Sequence, residues 1–89
     1  MQLDVIHRPD DLEFIATING TTVGRLRYRE DSPGGWTMYS TVVDADQSGQ
    51  GVGTELVRVA VESARSQGKA INPTCWFVAE WLDRNPVTD

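Results

Sequence analysis

Hydrophobic and polar residues alternate along the N-terminal half of this chain and then, past residue 51, recur at intervals of three and four. Leu3 to Arg8 reads as a first strand, ended by the turn formers Pro9-Asp10-Asp11. The next strand is expected over Leu12 to Ile18, with Leu12, Phe14, Ala16 and Ile18 on one face. Asn19-Gly20 is a strong hairpin signal, because both central residues of a type I′ turn need positive φ. Val23 to Glu30 returns as the partner, with Leu26 and Tyr28 on one face and Arg25, Arg27 and Arg29 on the other. A turn at 31–35 leads into Trp36 to Val43, a run of β-branched and aromatic residues that reads as a further strand. Val52, Leu56, Val57, Ala60, Val61 and Ala64 then mark one buried helix face, and Gly68 is a natural left-handed stop. A short strand over 70–72 and a helix over 76–84, with Phe77, Val78, Trp81 and Leu82 on its apolar side, complete the pattern before Pro86.

Four or five mostly antiparallel strands with two main helices make an α+β, or mixed α/β, fold with a βαβ-like unit in its second half. At 89 residues the chain is expected to be one domain, 1–89, large enough for one modest core. Thirteen acidic against eight basic residues, a net charge of -5, argue against nucleic acid as a partner, which needs a clustered basic surface. One cysteine excludes an internal disulfide and suits a reducing compartment, and one cysteine with one histidine cannot build a structural zinc site. The N-terminal residues lack the apolar run of a signal peptide or membrane span, so a cytoplasmic protein without membrane attachment is expected.

The candidate chemistry sits where strand turns into helix, in Gln47-Ser48-Gly49-Gln50-Gly51-Val52-Gly53. Three glycines at such a junction let the backbone approach a ligand that a Cβ would hold off. The first amides of the helix have no internal partner and the helix dipole is positive there, so the loop suits a phosphate or pyrophosphate. A P-loop needs Lys and then Ser or Thr after the last glycine, whereas Gly53 is followed by Thr54-Glu55. The dinucleotide fingerprint G-x-G-x-x-G is absent too, since the loop runs G-x-G-x-G.

This loop resembles the acetyl-CoA pyrophosphate loop of the GNAT acetyltransferases, Arg/Gln-x-x-Gly-x-Gly/Ala, with Gly51 and Gly53 on its two small positions and Ser48 where the family has Arg or Gln. Pro73-Thr74-Cys75 and Arg84-Asn85-Pro86 resemble the Pro-x-Cys and Arg/Lys-His-Pro elements of the short, single-domain GNAT family, with Asn85 in place of its histidine. Tyr28, the glycine loop, Pro73, Cys75, Phe77 and Pro86 match in order, so the resemblance covers about residues 12–86. It implies a truncated GNAT-like acyl-CoA N-acyltransferase fold, acetyl-CoA as acyl donor in a cleft between two splayed strands, no metal, and transfer to a small-molecule or protein amine by a monomer or weak dimer. The cofactor contacts it implies are Val43, Ser48, Gly49, Gln50, Gly51, Val52, Gly53, Thr54 and Asn72, with Cys75 at the acetyl end.

Each of these residues has a plainer reading. Cys75, near a helix N-terminus that favours thiolate, is either a nucleophile that takes the acetyl group or a small apolar wall of the cleft. Asn72 either meets the cofactor or, as expected, caps the second helix with Pro73 at its first position. Trp76 and Trp81 are expected mostly in the core, and His7 is expected to be an ordinary strand residue. Arg25, Arg27 and Arg29 form a solvated face or attract an acidic acceptor or the CoA 3′-phosphate. The whole-chain alternative to an amine acetyltransferase is a CoA- or acyl-CoA-binding module without turnover. A protein-interaction domain whose glycine loop is only structural is the third reading.

Overall fold

The computed structural model describes residues 3–31, 34–47 and 49–85. Strands β1 (Leu3–Arg8), β2 (Glu13–Ile18), β3 (Thr21–Asp31), β4 (Gly35–Val43) and β5 (Ala70–Pro73) form one sheet in sequence order. Neighbours are antiparallel until β4 and β5, which run parallel because helix α1 (Val52–Ser66) carries the chain back between them. Helix α2 (Trp76–Arg84) follows β5. None of the helices among the described residues is long and apolar enough to cross a membrane.

Local chemistry sets these boundaries. Asn19 and Gly20 both take positive φ, 51° and 85°, as the tight hairpin between β2 and β3 requires. Gly68, at φ 70°, ends α1; its amide bonds Arg65 O, and the next amide, of Lys69, reaches back to Ala64 O at 2.8 Å. The buried stripe of α1 is Val52, Leu56, Val57, Ala60, Val61 and Ala64, and it packs on Phe14, Ala16, Leu26, Tyr28, Trp36 and Met38 of the sheet. This apolar burial is the main force holding helix to sheet.

Three expectations are corrected. Leu12 is not in a strand: it closes a 3-10 turn over Pro9–Asp11 with φ 54° and donates its N–H to Pro9 O. In β2 the burial does not alternate, because the strand is interior and its second face is covered by neighbours. Glu13 and Ile15 lie between β1 and the arginines of β3, and both are buried with Thr17. His7 belongs to an aromatic cluster, stacked on Phe14 with ring centroids 4.2 Å apart and joined to the Tyr28 hydroxyl by a 2.7 Å hydrogen bond. Burial pushes its pKa down, which keeps the imidazole neutral against the core.

One irregularity positions the site. Tyr28 pairs with Met38 and Arg27 with Ser40, so Tyr39 is an extra residue in β4, a β-bulge. The bulge reverses the side-chain alternation. Trp36 and Met38 face α1 before it, and Val43, whose Cγ2 approaches Gly53 of α1, faces the same way after it. Pairing with β5 also stops at Met38, whose carbonyl accepts the amides of Thr74 and Cys75. Beyond that point β4 continues alone on this side, and the two strands part.

Candidate functional site

The gap between β4 and β5 opens into a cleft of about 360 Å³. Thr41 and Val43 from β4, Gln47, Gly49 and Gly51 from the loop, Val52, Gly53 and Thr54 from the first turn of α1, and Cys75, Trp76 and Phe77 from the start of α2 line it. Loop and helix ends meet here because two helices begin at the same edge of the sheet. At α1 the first-turn amides have no helical partner, whereas at α2 the amides of Phe77 and Val78 turn to the Cys75 sulfur.

At α1 the first helical bond runs from Glu55 N–H to Gly51 O, which leaves the amides of residues 51–54 without helical acceptors. Gly51 is the N-cap, at φ 81°, and an added Cβ there would meet nothing within 4 Å. Gly49 has the same φ and the same open surroundings. The two left-handed glycines turn the chain so that helix-start amides face open space, which is an anion cradle. A carboxylate in the first turn, Glu55, would oppose an anion, but Arg58 grips it with two hydrogen bonds of 2.8 and 2.6 Å. That contact holds the Glu55 carboxyl below its usual range.

Gly53 is small for a different reason. An added Cβ would lie 3.1 and 3.2 Å from Cζ and Cε2 of Phe77. Its hydrogen lets the aromatic ring of α2 close against the first turn of α1, which fixes the width of the cleft.

Cys75 is the N-cap of α2 and is almost fully buried, with its Sγ 3.7 Å from Thr41 Oγ1. Burial pushes the thiol pKa up, but the Val78 amide, the Thr41 hydroxyl and the Phe77 and Thr41 amides together outweigh it and bring it below the ordinary thiol range. The Thr41 amide therefore points across the gap, and by the strand period the Val43 amide lines the same open edge. No histidine attends the sulfur, since His7 is committed to Tyr28. Neither tyrosine lines the cleft: Tyr28 is buried at His7, and Tyr39 lies under the Arg29 guanidinium on the opposite sheet face.

Of the residues expected to touch the cofactor, Val43, Gly49, Gly51, Val52, Gly53 and Thr54 come together in this cleft with Cys75. Gln50 does not line it; its amide turns back to Gln47 O and its side chain is exposed. Asn72 does not cap α2 and is not among the residues that line the cleft. It pairs with Thr37 in β5, its carboxamide donates to Thr37 Oγ1 at 3.3 Å, and α2 begins four residues later, capped by Cys75. Continued pairing with β4 holds Asn72 and Pro73 in the strand. Ser48, like Pro86, lies outside the described residues.

Trp76 is corrected as well: it is 73% exposed, because the first residue of α2 projects past the cleft rim rather than into the core. Thr41 and Gln47 are wall residues that the sequence reading missed. Gln47 opens the glycine heptapeptide and was within reach of that motif; Thr41 depends on the bulge.

This geometry carries an expected result. Alkylation of Cys75 should follow a pH profile whose midpoint lies below that of an unstructured cysteine peptide, since thiolate, the reactive form, is favoured in the fold. A midpoint at or above the peptide's, measured with iodoacetamide, would contradict the assigned balance of burial and amides.

No curated protein sequence matches the chain significantly. Solved structures do. The IAA acetyltransferase from Bacillus cereus ATCC 14579 is 20% identical over 82% of this chain and 52% of its own, with a TM-score of 0.66. The ribosomal-protein-alanine N-acetyltransferase from Brucella melitensis biovar Abortus 2308 is 19% identical over 68% and 50%, with a TM-score of 0.59. The N-acetylglutamate synthase from Neisseria gonorrhoeae, complexed with coenzyme A and N-acetyl-glutamate, is 15% identical over 91% and 22%, with a TM-score of 0.69. The chain thus spans about half the length of the first two of these proteins and less of the third. At such identities the likeness is one of fold. Residues 13–89 match the sequence family described as GCN5-related N-acetyl-transferase, and the chain belongs to that family.

Proposed function

We propose that this chain is an acetyl-CoA-dependent N-acetyltransferase that transfers the acetyl group directly to an amine. The observation that carries the reading is the meeting, in one cleft, of the α1 anion cradle, the free edge of β4 and the N-terminus of α2. The amides of residues 51–54 would hold the pyrophosphate, and the edge at Thr41 and Val43 would align the pantetheine arm by strand-like hydrogen bonds. Family membership supports acetyl-CoA as the donor. The acetyl group would then lie by Cys75, where amides at the open strand edge polarise its carbonyl.

Cys75 serves in this reading as a wall of the acetyl pocket. Its thiolate is favoured by amides and a hydroxyl alone, without a cationic partner, and an acetyl-cysteine would be another thioester with no energetic advantage over the donor. Holding the amine about 3 Å from the thioester carbon supplies the catalysis.

Calorimetry with acetyl-CoA and CoA, followed by a thiol-release assay on an amine panel, tests the proposal. Binding with amine-dependent thiol release is expected. Binding without release on any amine would favour the non-catalytic CoA-binding module, and absence of binding would overturn both. Cys75→Ala should keep activity within about tenfold, against losses on the order of 10⁶ when a covalent nucleophile is removed. An acetyl adduct on Cys75 that chases into product would reverse the mechanistic choice.

A further inference from the structure

Four of the seven arginines, Arg8, Arg25, Arg27 and Arg29, project from the sheet face turned away from α1. In a chain of net charge -5 this is a marked concentration. Beneath them lies a buried carboxylate. The Glu13 side chain is 5% exposed, accepts from Arg25 Nη1 at 3.1 and 3.2 Å, and has Arg27 Nε at 3.7 Å. Arg8 is paired with Asp11 at 2.9 Å.

Together with Tyr39 these side chains line a polar cavity of about 360 Å³, in which three guanidinium groups face two carboxylates. Arg29 adds a further cation beside it, 5.2 Å above the Tyr39 ring. A buried carboxylate is costly unless it is paired. Here it anchors two half-exposed guanidiniums by one nitrogen each, a hydrogen-bonded pair with Arg25 and a looser ion pair with Arg27, and the other N–H donors have no partner among the described residues. Guanidiniums held in this way form a preorganised receptor for an oxyanion.

The cavity also has a telling position. Tyr39, part of its wall, is the extra residue of the β4 bulge, and Thr41, two residues on, lines the cleft on the other side of the sheet. Arginine cavity and cleft therefore meet across the same stretch of β4, where β5 has parted from it.

We propose that the Arg25–Arg27 cavity is the acceptor subsite, and that it takes the carboxylate of an ω-amino acid whose amine reaches the gap between β4 and β5. The assignment rests on the acetyl-transfer reading. From β3 to the gap is about one and a half strand spacings, roughly 7 Å, so the amine and carboxylate are separated by a flexible chain of several carbons. In the reaction the amine nitrogen forms a bond to the thioester carbon and the C–S bond breaks. The proton lost by nitrogen ends on the departing CoA thiolate.

The test pairs 6-aminohexanoate with the neutral 6-aminohexanamide, titrated into the full chain while the side-chain N–H signals of arginine are followed by NMR. The carboxylate should shift Arg25 and Arg27 saturably, and the amide should not. Arg27→Gln should weaken binding about tenfold or more, as loss of a charge-assisted bond does. Arg25→Lys, which keeps Glu13 paired and so protects the fold, should do likewise by removing the fork. Arg65→Gln, on the exposed last turn of α1, should change nothing. In turnover the carboxylate should show the lower KM at similar kcat.

Equal shifts from the amide, or undiminished binding in both cavity variants, would overturn the subsite. Acetyl-CoA binding with no carboxylate binding would overturn it while leaving the acetyl-transfer reading intact. Carboxylate binding by a chain that does not bind acetyl-CoA would overturn the acceptor role itself.

Discussion

Gly51→Val is expected to lower acetyl-CoA affinity by about 100-fold or more while leaving a folded protein, since several charge-assisted bonds to the cradle are worth at least 2–3 kcal/mol together. Gly51 lines the cleft, and its missing Cβ points into open space rather than into the core. Nothing in the protein would be displaced by a side chain there. The displaced object would be the phosphate held by the neighbouring amides. The substitution also forces a β-branched residue to φ 81°, a strain of about 1–2 kcal/mol. Against a domain stability of about 5–15 kcal/mol that is tolerable. Circular dichroism melts and calorimetry with acetyl-CoA separate the two effects. A folded variant that binds as tightly as the parent would remove the cradle from the site.

The elements were legible in the sequence for simple reasons. The α1 stripe, the Asn19-Gly20 hairpin and the Gly68 stop each depend on residues within one or two turns of each other, and each forms as read. The glycine loop was legible because its spacing is itself the constraint. What the sequence concealed depends on contacts between distant strands. Trp36-Thr37-Met38 alternates, but Ser40-Thr41 and Val42-Val43 give no clear alternation, and nothing in the run fixes Tyr39 as an extra residue. Plain alternation from Trp36 would turn Thr41 and Val43 away from α1, whereas the bulge brings both to the cleft. Glu13 reads as a polar position on a half-exposed strand, and only the register of β1, β2 and β3 shows that arginines close over it. Asn72 followed by Pro73 looks like a helix start, and continued pairing with Thr37 and Met38 of β4 overrides that local signal.

Gly53→Val should act in the opposite way to its neighbour, by damaging the protein first and the ligand site second. The second residue of a helix gains a little from losing glycine, at most about 1 kcal/mol in intrinsic propensity. That gain is opposed by two ring atoms of Phe77 at 3.1 and 3.2 Å from the new Cβ. Overpacking of this kind costs about 1–3 kcal/mol, so the contact wins and the melting temperature falls by roughly 4–8 °C per kcal/mol. Either outcome of the clash narrows or misaligns the cleft, because Phe77 is one wall of it and α2 carries Cys75. The measurement that isolates the cause is a double-mutant cycle with Phe77→Ala, which vacates the space that the valine needs. A favourable coupling of about 1 kcal/mol or more is expected between the two substitutions. Additive losses, with no coupling, would mean that this glycine is not there for the aromatic ring.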